Sequence, residues 1–597
     1  MNKQKESAGK YSDTKLLRRI FSLARPYRAV FISAAMLSVI LAPVSIIRPY
    51  LVQLTVDNHI IHTDMPGLMI MIGLLCGILL LEGVLSYFFT YSTGWLGQSI
   101  IRDLRLSVFN KINSLRLAYF DKTPIGTSTT RTINDIETIN SVFSEGVITI
   151  VADILTLIFV LAIMFYTSWQ LTLVCLITLP LLIWSSYWFK EAVKKSFEII
   201  RSQVSKMNAF LQERISGMRI VQIFNAEQQE WDKFEKINQT YTKANIKSIF
   251  YYAVFFPLVD ILSAAALGLM VWYGAGEVMS GKLTLGVMVA FPLYLGMLFR
   301  PVRMLADKFN SLQMGMVAAN RVFEILDNDK NVANNGTLKA DNLKGDVRFE
   351  EVFFSYDQDK TLEEIDGNWI LKGLSFTLSA GKTMAIVGST GAGKTTIINI
   401  LNRFYEIHKG KIFIDNVELR EYELYSLRKH IAIVLQDVFL FSGSVFDNIS
   451  LKDPSITPEQ MIEASKMIGA HEFIERLPGG YEYQVMERGA TLSMGQRQLI
   501  SFVRALVFNP SILILDEATS AIDPETEGVI QHAIEKLIEK RTSIIIAHRL
   551  STIQHADTIL VLDKGKVMET GTHQELMQKE GGHYRELVET AYAVEIE

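Results

Sequence analysis

The stretch Met384–Thr396, MAIVGSTGAGKTT, decides the fold of the C-terminal part of this chain. Ala385, Ile386 and Val387 form a short apolar run that is typical of a buried strand. From Gly388 to Thr395 the next residues fit G-x-x-x-x-G-K-T, the pattern of a phosphate-binding loop. In such a loop the backbone N–H groups point at an anion, and the following helix adds its positive end. The pattern therefore predicts a nucleotide site in an α/β domain.

Two side chains of this loop suit specific contacts with a nucleotide. Lys394 can reach the β- and γ-phosphates, and the Thr395 hydroxyl can bind Mg²⁺. The alternative is a chance match in a loop, which the flanking apolar strand and amphipathic helix disfavour. The predicted nucleotide-binding residues here are Gly388, Ser389, Thr390, Gly391, Ala392, Gly393, Lys394, Thr395 and Thr396.

Composition limits the class of the whole protein. With 597 residues the chain is too long for one compact domain. A hydrophobic fraction of 49% predicts a membrane part, and a net charge of −4 gives no reason to expect nucleic acid as a partner. Cys76 and Cys175 lie in separate apolar runs without disulfide or metal-ligand spacing. The polar, basic N-terminus predicts no cleavable signal peptide.

Six apolar segments before the loop are long enough to cross a bilayer. The connections Gln53–Pro66 and Thr167–Gln170 contain no Lys or Arg, whereas the N-terminal segment and the two long connections are rich in both. By the positive-inside rule, the termini and the long connections face the cytoplasm of a multi-pass cell-membrane protein. The predicted spans are Ala29–Ile47, Leu68–Tyr91, Val147–Tyr166, Leu171–Phe189, Ile249–Tyr273 and Leu283–Phe299.

These patterns predict a chain of four parts. Residues 1–27 form a cytoplasmic N-terminus that ends in an amphipathic helix on the membrane surface, for which a solvated helix is the alternative. Residues 28–325 form the six-span transmembrane domain, residues 326–345 a polar linker, and residues 346–597 the α/β domain.

Four acidic residues fall at or within the apolar spans. Because a charge in the membrane is costly, each carboxylate is expected to face a cavity or a partner. One interpretation is contact with a cationic substrate, and the other is a structural hydrogen bond or an interfacial position. The four residues are Glu82, Glu145, Asp153 and Asp260, of which Asp260 lies deepest.

Further polar residues follow buried strands of the α/β domain. The run Ile512–Leu515 ends in Asp516 and Glu517, at the edge of the sheet where ligands of α/β proteins bind. Adjacent residues of a strand point in opposite directions, so Asp516 can serve the Mg²⁺ and Glu517 the water that attacks the γ-phosphate. A solvated strand end is the alternative. His548 follows Ser543–Ala547 and can hydrogen-bond the γ-phosphate.

The order of these motifs resembles the ABC ATPases. The phosphate loop, Gln436, the segment LSMGQ at Leu492–Gln496, the run ILILDEATSAID at Ile512–Asp523, and Ala547-His548-Arg549 occur in that sequence. The whole chain is similar to a bacterial ABC exporter half-transporter of the multidrug type. Supporting stretches are Tyr119-Phe120-Asp121, Ile215–Phe224 and Leu440–Ile449.

The resemblance implies further roles. Tyr356 would stack on adenine, and Gln436 would link Mg²⁺ and water to the membrane domain. Asp523 would lie across the interface between two ATP-binding domains. Segments near Tyr119–Lys122 and Met218–Phe224 would rest on the ATP-binding domains as coupling helices. The residues that would contact ATP held by the facing subunit are Ser493, Met494, Gly495 and Gln496.

One departure from the family pattern concerns the partner. Met494 stands where the LSGGQ signature has glycine, and its side chain adds bulk and restricts φ where backbone must approach a phosphate. In the resembling family, an altered signature beside an intact Asp516-Glu517 and His548 marks one half of a heterodimer with unequal ATP sites. Tolerated variation in a homodimer is the alternative.

The expected protein is an ATP hydrolase that exports hydrophobic or amphipathic compounds across the membrane, with ATP and Mg²⁺ as cofactors. Its expected partners are a second half-transporter, membrane lipid and a small substrate. A lipid or peptide exporter remains open, because the cavity residues do not discriminate. A non-pumping ATP-gated regulator is a further alternative, against which the complete Asp516, Glu517 and His548 argue.

Overall fold

The computed structural model describes residues 13–143, 147–332, 334–358, 362–365, 367–516, 524–546 and 550–595. The chain divides into two compact units. The first comprises Met1–Asn113 and Ile125–Asn328, and the second comprises Ser114–Pro124 and Asp329–Glu597. The short segment Ser114–Pro124 thus belongs with the C-terminal unit, although it lies inside the N-terminal sequence.

The first unit is helical. Five of its described helices are long and apolar enough to cross a membrane, and a sixth apolar helical stretch covers Leu285–Pro301. The predicted six-helix transmembrane fold is confirmed, and the helices run well beyond the apolar spans. Its helices are α1 (Asp13–Ser22), α2 (Arg28–Thr55), α3 (Met65–Ser114), α5 (Ile125–Thr130), α6 (Ile136–Ser141), α7 (Val147–Thr167), α8 (Trp169–Leu176), α9 (Leu179–Ser216), α10 (Met218–Ile223), α11 (Glu227–Met279) and α12 (Leu285–Leu326); α4 (Leu117–Lys122) lies in the second unit.

Aromatic packing joins the two long helices α9 and α11. The rings of Phe189 and Phe255 stack with their centroids 4.1 Å apart, and Tyr252 meets Phe189 edge-on at 5.0 Å. Both phenylalanines are buried. An apolar contact of this kind stabilises a helix pair in lipid, where close packing rather than the hydrophobic effect drives association.

Helix α1 is amphipathic, as predicted, with Leu16 and Ile20 buried. The guanidinium of Arg19 makes a two-pronged ion pair with Asp327, at 2.5 Å for each pair of atoms, and lies 4.0 Å from the ring centre of Phe323. The N-terminal helix is therefore attached to the end of α12.

The second unit is an α/β fold of two main sheets. Its strands are β1 (Val347–Phe354), β2 (Leu371–Leu378), β3 (Thr383–Gly388), β4 (Lys409–Ile414), β5 (Val417–Glu418), β6 (Ile431–Val434), β7 (Gly443–Ser444), β8 (Gln484–Val485), β9 (Ile512–Asp516), β10 (Thr542–Ile546), β11 (Thr558–Asp563) and β12 (Lys566–Gly571). Its helices are α4, α13 (Leu362–Ile365), α14 (Lys394–Leu401), α15 (Leu424–Lys429), α16 (Val445–Ser450), α17 (Pro458–Met467), α18 (His471–Glu475), α19 (Met494–Val507), α20 (Pro524–Ile538), α21 (Leu550–Gln554), α22 (His573–Met577) and α23 (His583–Glu595).

The larger sheet has the strand order β12-β11-β3-β10-β9-β6, and all its pairs except β11–β12 are parallel. Its central strands β3, β9, β10 and β11 are apolar on both faces, as expected for a covered parallel sheet. In β9, Leu513 and Leu515 enter one hydrophobic core, while Ile512 and Ile514 enter a second core on the other face. The second core also includes residues of β1, β2 and β4 from the antiparallel sheet β2-β1-β4-β5.

Candidate functional site

The site begins at one edge of the larger sheet, where parallel strands end together. Ile546 of β10 pairs with Ile386 of β3 on one side and with Asp516 of β9 on the other. The phosphate loop starting at Gly388 therefore leaves the sheet close to Asp516. On the far side of β9, Val434 of β6 pairs with Leu515, which places Gln436 just beyond the same edge.

The described part of this edge contains only some of the predicted catalytic residues. Asp516 is partly exposed at the end of β9, and Gln436 is exposed. Glu517, His548 and Asp523 lie outside the described residues. In the sequence, Glu517 directly follows Asp516, and His548 follows Ile546 by two residues.

The phosphate loop requires glycine for two reasons: neighbouring backbone atoms lie too close for a side chain, and the backbone has positive φ angles. Gly388 has a φ of 152°, and a Cβ there would lie 2.1 Å from the carbonyl oxygen of Leu562. Gly391 has a φ of 83°, and Gly393 caps α14 with a φ of 106°. L-residues with a side chain rarely adopt these angles. The cap contributes no side-chain hydrogen bond, so the first amides of α14 remain available for an anion.

The Lys394 side chain folds back along the loop. Its ammonium donates to the carbonyl oxygens of Gly388, at 2.7 Å, and of Ser389, at 3.1 Å. Burial lowers the pKa of Lys394 from the usual lysine value, and the Asp516 carboxylate acts in the opposite direction. The ammonium is thus positioned between the loop backbone and the end of β9. Thr395, the next residue, is exposed.

Tyr356 lies beside the same helix, after the end of β1. Its hydroxyl is 3.1 Å from Oγ1 of Thr396 and accepts a hydrogen bond from Nδ2 of Asn399 at 3.3 Å. Its ring stands perpendicular to that of Tyr405, with the centroids 5.0 Å apart. The structure therefore brings Tyr356 close to the helix that follows the phosphate loop.

A second helix N-terminus carries the predicted signature residues. Ser493 caps α19: its hydroxyl accepts from the amide of Gln496 at 3.2 Å, and Oε1 of Gln496 accepts from the amide of Ser493 at 2.9 Å. Gly495 is buried, whereas Met494 is 39% exposed at the first helical position. The hydroxyl proton of Ser493 and the NH₂ group of Gln496 remain available to donate.

The backbone at Met494 does not need the conformational freedom of glycine in this structure. Met494 begins α19 and has no positive φ, so its backbone is ordinary helix that most residues adopt. What remains of the prediction is the bulk of an exposed side chain at a helix N-terminus.

Sequence reasoning missed Tyr405. Its hydroxyl donates to Oδ2 of Asp121 in α4, within the second unit, and Leu117 and Ala118 of α4 pack on the core of that unit. Burial, together with the hydrogen bond to Asp121, raises the pKa of Tyr405. Tyr119-Phe120-Asp121 was recognised as a family stretch, but no spacing in the sequence connects it with a tyrosine nearly three hundred residues away.

Two of the four membrane acids already have a cation close by. Arg48 lies 3.8 Å from Glu82, and Lys308 forms an ion pair with Asp153. These pairs favour the structural interpretation of both carboxylates, since a neutralised charge is cheaper to hold in a membrane. Asp260 is exposed on α11, and Glu145 lies outside the described residues.

Comparisons with known proteins agree with this division. Residues 31–302 match the family described as ABC transporter transmembrane region, and residues 371–520 match the family described as ABC transporter. The uncharacterized ABC transporter ATP-binding protein YknV of Bacillus subtilis (strain 168) is 39% identical over 97% of this chain and 95% of its own length.

Two other relatives carry more specific descriptions. The probable multidrug resistance ABC transporter ATP-binding/permease protein YheH of Bacillus subtilis is 38% identical, over 87% of this chain and 77% of its own length. An ATP-dependent lipid A-core flippase of Syntrophus aciditrophicus (strain SB) is 34% identical, over 96% of this chain and 94% of its own length.

Proposed function

Since this chain belongs to the ABC transporters, with a membrane region and an ATPase domain fused in one half-transporter, we propose that it exports hydrophobic or amphipathic compounds. The observation that carries the proposal is the fusion of a membrane-spanning helical unit to a phosphate loop with suitable geometry. ATP hydrolysis coupled to transport is the activity of this ATPase domain in transporters. The multidrug and flippase descriptions of two relatives fit an amphipathic substrate.

The proposed ATP site divides the chemistry among the residues at the sheet edge. The loop amides and Lys394 bind the phosphates, while Tyr356 stacks on the adenine. Thr395 and Asp516 hold Mg²⁺, which prefers hard oxygen ligands such as a hydroxyl and a carboxylate. Glu517 orients or deprotonates the attacking water, His548 hydrogen-bonds the γ-phosphate, and Gln436 connects the site to the membrane part.

A complete ATP site needs the signature of a second chain. Ser493, Gly495 and Gln496 would contact the γ-phosphate held by that chain, and Asp523 would lie at the interface. ATP then bridges only the closed pair of ATP-binding domains, so its binding shifts the population towards that state. Closure turns the membrane cavity outward, and hydrolysis reverses it.

We propose that the partner is a different half-transporter. Met494 places an exposed side chain where the family signature has glycine, while the Asp516-Glu517 pair of this chain is complete. The ATP site formed by this chain's phosphate loop and the partner's signature would hydrolyse ATP at a normal rate. The site completed by Met494 would bind ATP but hydrolyse it slowly.

Co-purification tests this assignment. We expect the chain to bring down a second ABC half-transporter from its host, and ATPase activity in lipid to require both chains. Transport of a compound panel by the pair then tests the exporter class. A homodimer that hydrolyses ATP and pumps at full rate, unaided, would contradict the heterodimer.

The proposed orientation places the termini in the cytoplasm. Asn58 and Asn113 are both exposed in the structure, on opposite sides of α3's predicted span. A cysteine at Asn58 should react with an impermeant thiol reagent in intact cells, and a cysteine at Asn113 should react only after lysis. The reverse pattern would contradict the orientation.

A further inference from the structure

A cavity of about 340 Å³ lies within the first unit, between α9, α12 and the segment around Asp135. Part of its wall is apolar and aromatic. Phe189 and Val193 are buried there, and Tyr252, Phe197 and Val317 add further apolar surface. This wall offers a hydrocarbon-like surface to a ligand.

The remaining wall is charged, with more positive than negative groups. Four basic and two acidic side chains line the cavity, which leaves a net charge of two positive: Lys190, Lys194, Arg201, Arg321, Asp135 and Glu198. Arg321 lies 3.6 Å from Asp135, so these two charges offset each other.

Two of the cations form no ion pair with any carboxylate in the described part of the chain. Arg201 donates to the thioether sulfur of Met314 at 2.8 Å, which is a weak acceptor. Within the described ranges of the chain, neither Lys194 nor Arg201 forms an ion pair. Both residues are exposed and line the cavity.

The cavity also lies at a defined depth along the helix. The apolar part of α9 ends at Phe189, and the charged part begins at Lys190 within the same continuous helix. Phe189 and Lys194 therefore lie on either side of the boundary between hydrocarbon and water. Basic pockets between membrane helices at this level suit the head groups of anionic lipids.

We infer that this cavity binds an anionic phospholipid of the surrounding bilayer. Lys194 and Arg201 hold the head-group phosphate, and an acyl chain runs along Phe189 and Val193. A net positive lining favours an anionic over a zwitterionic head group. The inference needs the chain to span a membrane, but it does not depend on the export of any compound.

Native mass spectrometry of the full-length chain tests the site without ATP. The chain is titrated in neutral detergent with phosphatidylglycerol and, separately, with phosphatidylcholine. We expect a retained phosphatidylglycerol whose apparent affinity falls about 30-fold in the double variant Lys194→Ala/Arg201→Ala, since each lost cation costs about 1 kcal/mol. Phosphatidylcholine should bind more weakly and be indifferent to the change.

Matched variants distinguish loss of the binding site from a general loss of positive charge and from misfolding. Lys195→Ala/Lys206→Ala removes the same charge from α9 outside the cavity and should leave binding unchanged. Lys194→Arg/Arg201→Lys keeps the charge and should retain binding. Equal losses in the two alanine pairs, or equal binding of the two lipids, would overturn the inference.

A soluble amphiphile distinguishes the source of the phosphate. Decyl phosphate, a phosphate monoester with one alkyl chain, also carries an anionic phosphate without being a bilayer lipid, and it should compete with phosphatidylglycerol only at higher concentration. If decyl phosphate binds at the cavity while phosphatidylglycerol does not, the site belongs to a free amphiphile, and the lipid assignment is wrong.

Discussion

Two helices of the ATP-binding unit differ in how the free backbone amides at their N-termini find hydrogen-bond partners. Helix α14 begins after Gly393, whose backbone is in the left-handed conformation and which has no side chain to cap the helix. The first backbone amides of α14 are therefore available to bind a phosphate. Helix α19 begins after Ser493, where a capping box already satisfies two backbone amides. The first terminus depends on an outside anion for its hydrogen bonds, whereas at the second the side chains of Ser493 and Gln496 already satisfy two of the backbone amides. Changes near α14 should therefore abolish chemistry, and changes at α19 should only adjust it.

The largest effect is expected at the edge of the sheet beside α14. Glu517→Gln should retain ATP binding but lower steady-state hydrolysis by about 10²–10⁴-fold, the usual contribution of a general base. Phosphate release and binding of a fluorescent nucleotide would be measured on the complete transporter in lipid. Glu580→Gln, at an exposed position elsewhere in this unit, is the control. Near-normal hydrolysis in Glu517→Gln would refute the assignment of the base.

The next effect concerns the loop itself. Lys394→Ala should weaken ATP binding by about 10- to 100-fold, because a hydrogen bond to a charged group contributes about 1.5–3 kcal/mol. Titration with the same fluorescent nucleotide measures the change. Lys466→Ala, an exposed lysine of α17, provides the matched charge loss. Equal affinities for wild type and Lys394→Ala would show that the loop amides alone bind the phosphates.

A smaller effect of opposite sign is expected at α19. Met494→Gly should raise hydrolysis by the complete transporter several-fold, because the facing phosphate can approach more closely. Since Met494 already has helical backbone angles, removal of bulk should suffice, and Met494→Ala should give most of the gain. A gain with glycine alone would restore the conformational argument. No gain with either residue would show that the Met494 side chain does not limit hydrolysis.

The smallest effect is expected where α4 packs within the second unit. Tyr405→Phe removes the hydrogen bond to Asp121, which contributes about 1 kcal/mol. Hydrogen exchange of the α4 amides should rise by about fivefold, as that energy implies. Tyr425→Phe, at a tyrosine that is 70% exposed, controls for loss of a hydroxyl. An unchanged exchange rate would mean that the apolar contacts of Leu117 and Ala118 suffice.

Features that depend on neighbouring residues in the chain could be predicted from the sequence. The phosphate loop was predictable because its backbone geometry admits only glycine at Gly388, where Leu562 is too close for a side chain. The six spans were predictable because the bilayer fixes their length and composition. Both signals are local in the chain.

The missed features are contacts between residues far apart in sequence. Nothing near Asp153 indicates Lys308, and nothing near Arg19 indicates Asp327. The Tyr405–Asp121 contact is of the same kind. The sequence placed Met494 where a helix opens, but it did not show that its backbone has ordinary helical angles.

The side chains of β9 point alternately into two cores, and this limits which mutations of the gene the strand can tolerate. Ile512 and Ile514 serve one core, Leu513 and Leu515 the other, and Asp516 follows at the end. Deleting one codon in this strand would exchange the two sets of side chains and turn every following residue to the opposite face. Point substitutions among Ile, Leu and Val are tolerable at these positions. Insertions and deletions of a single codon are not tolerable there. We therefore expect the length of this strand to stay constant during evolution while its apolar residues exchange with one another.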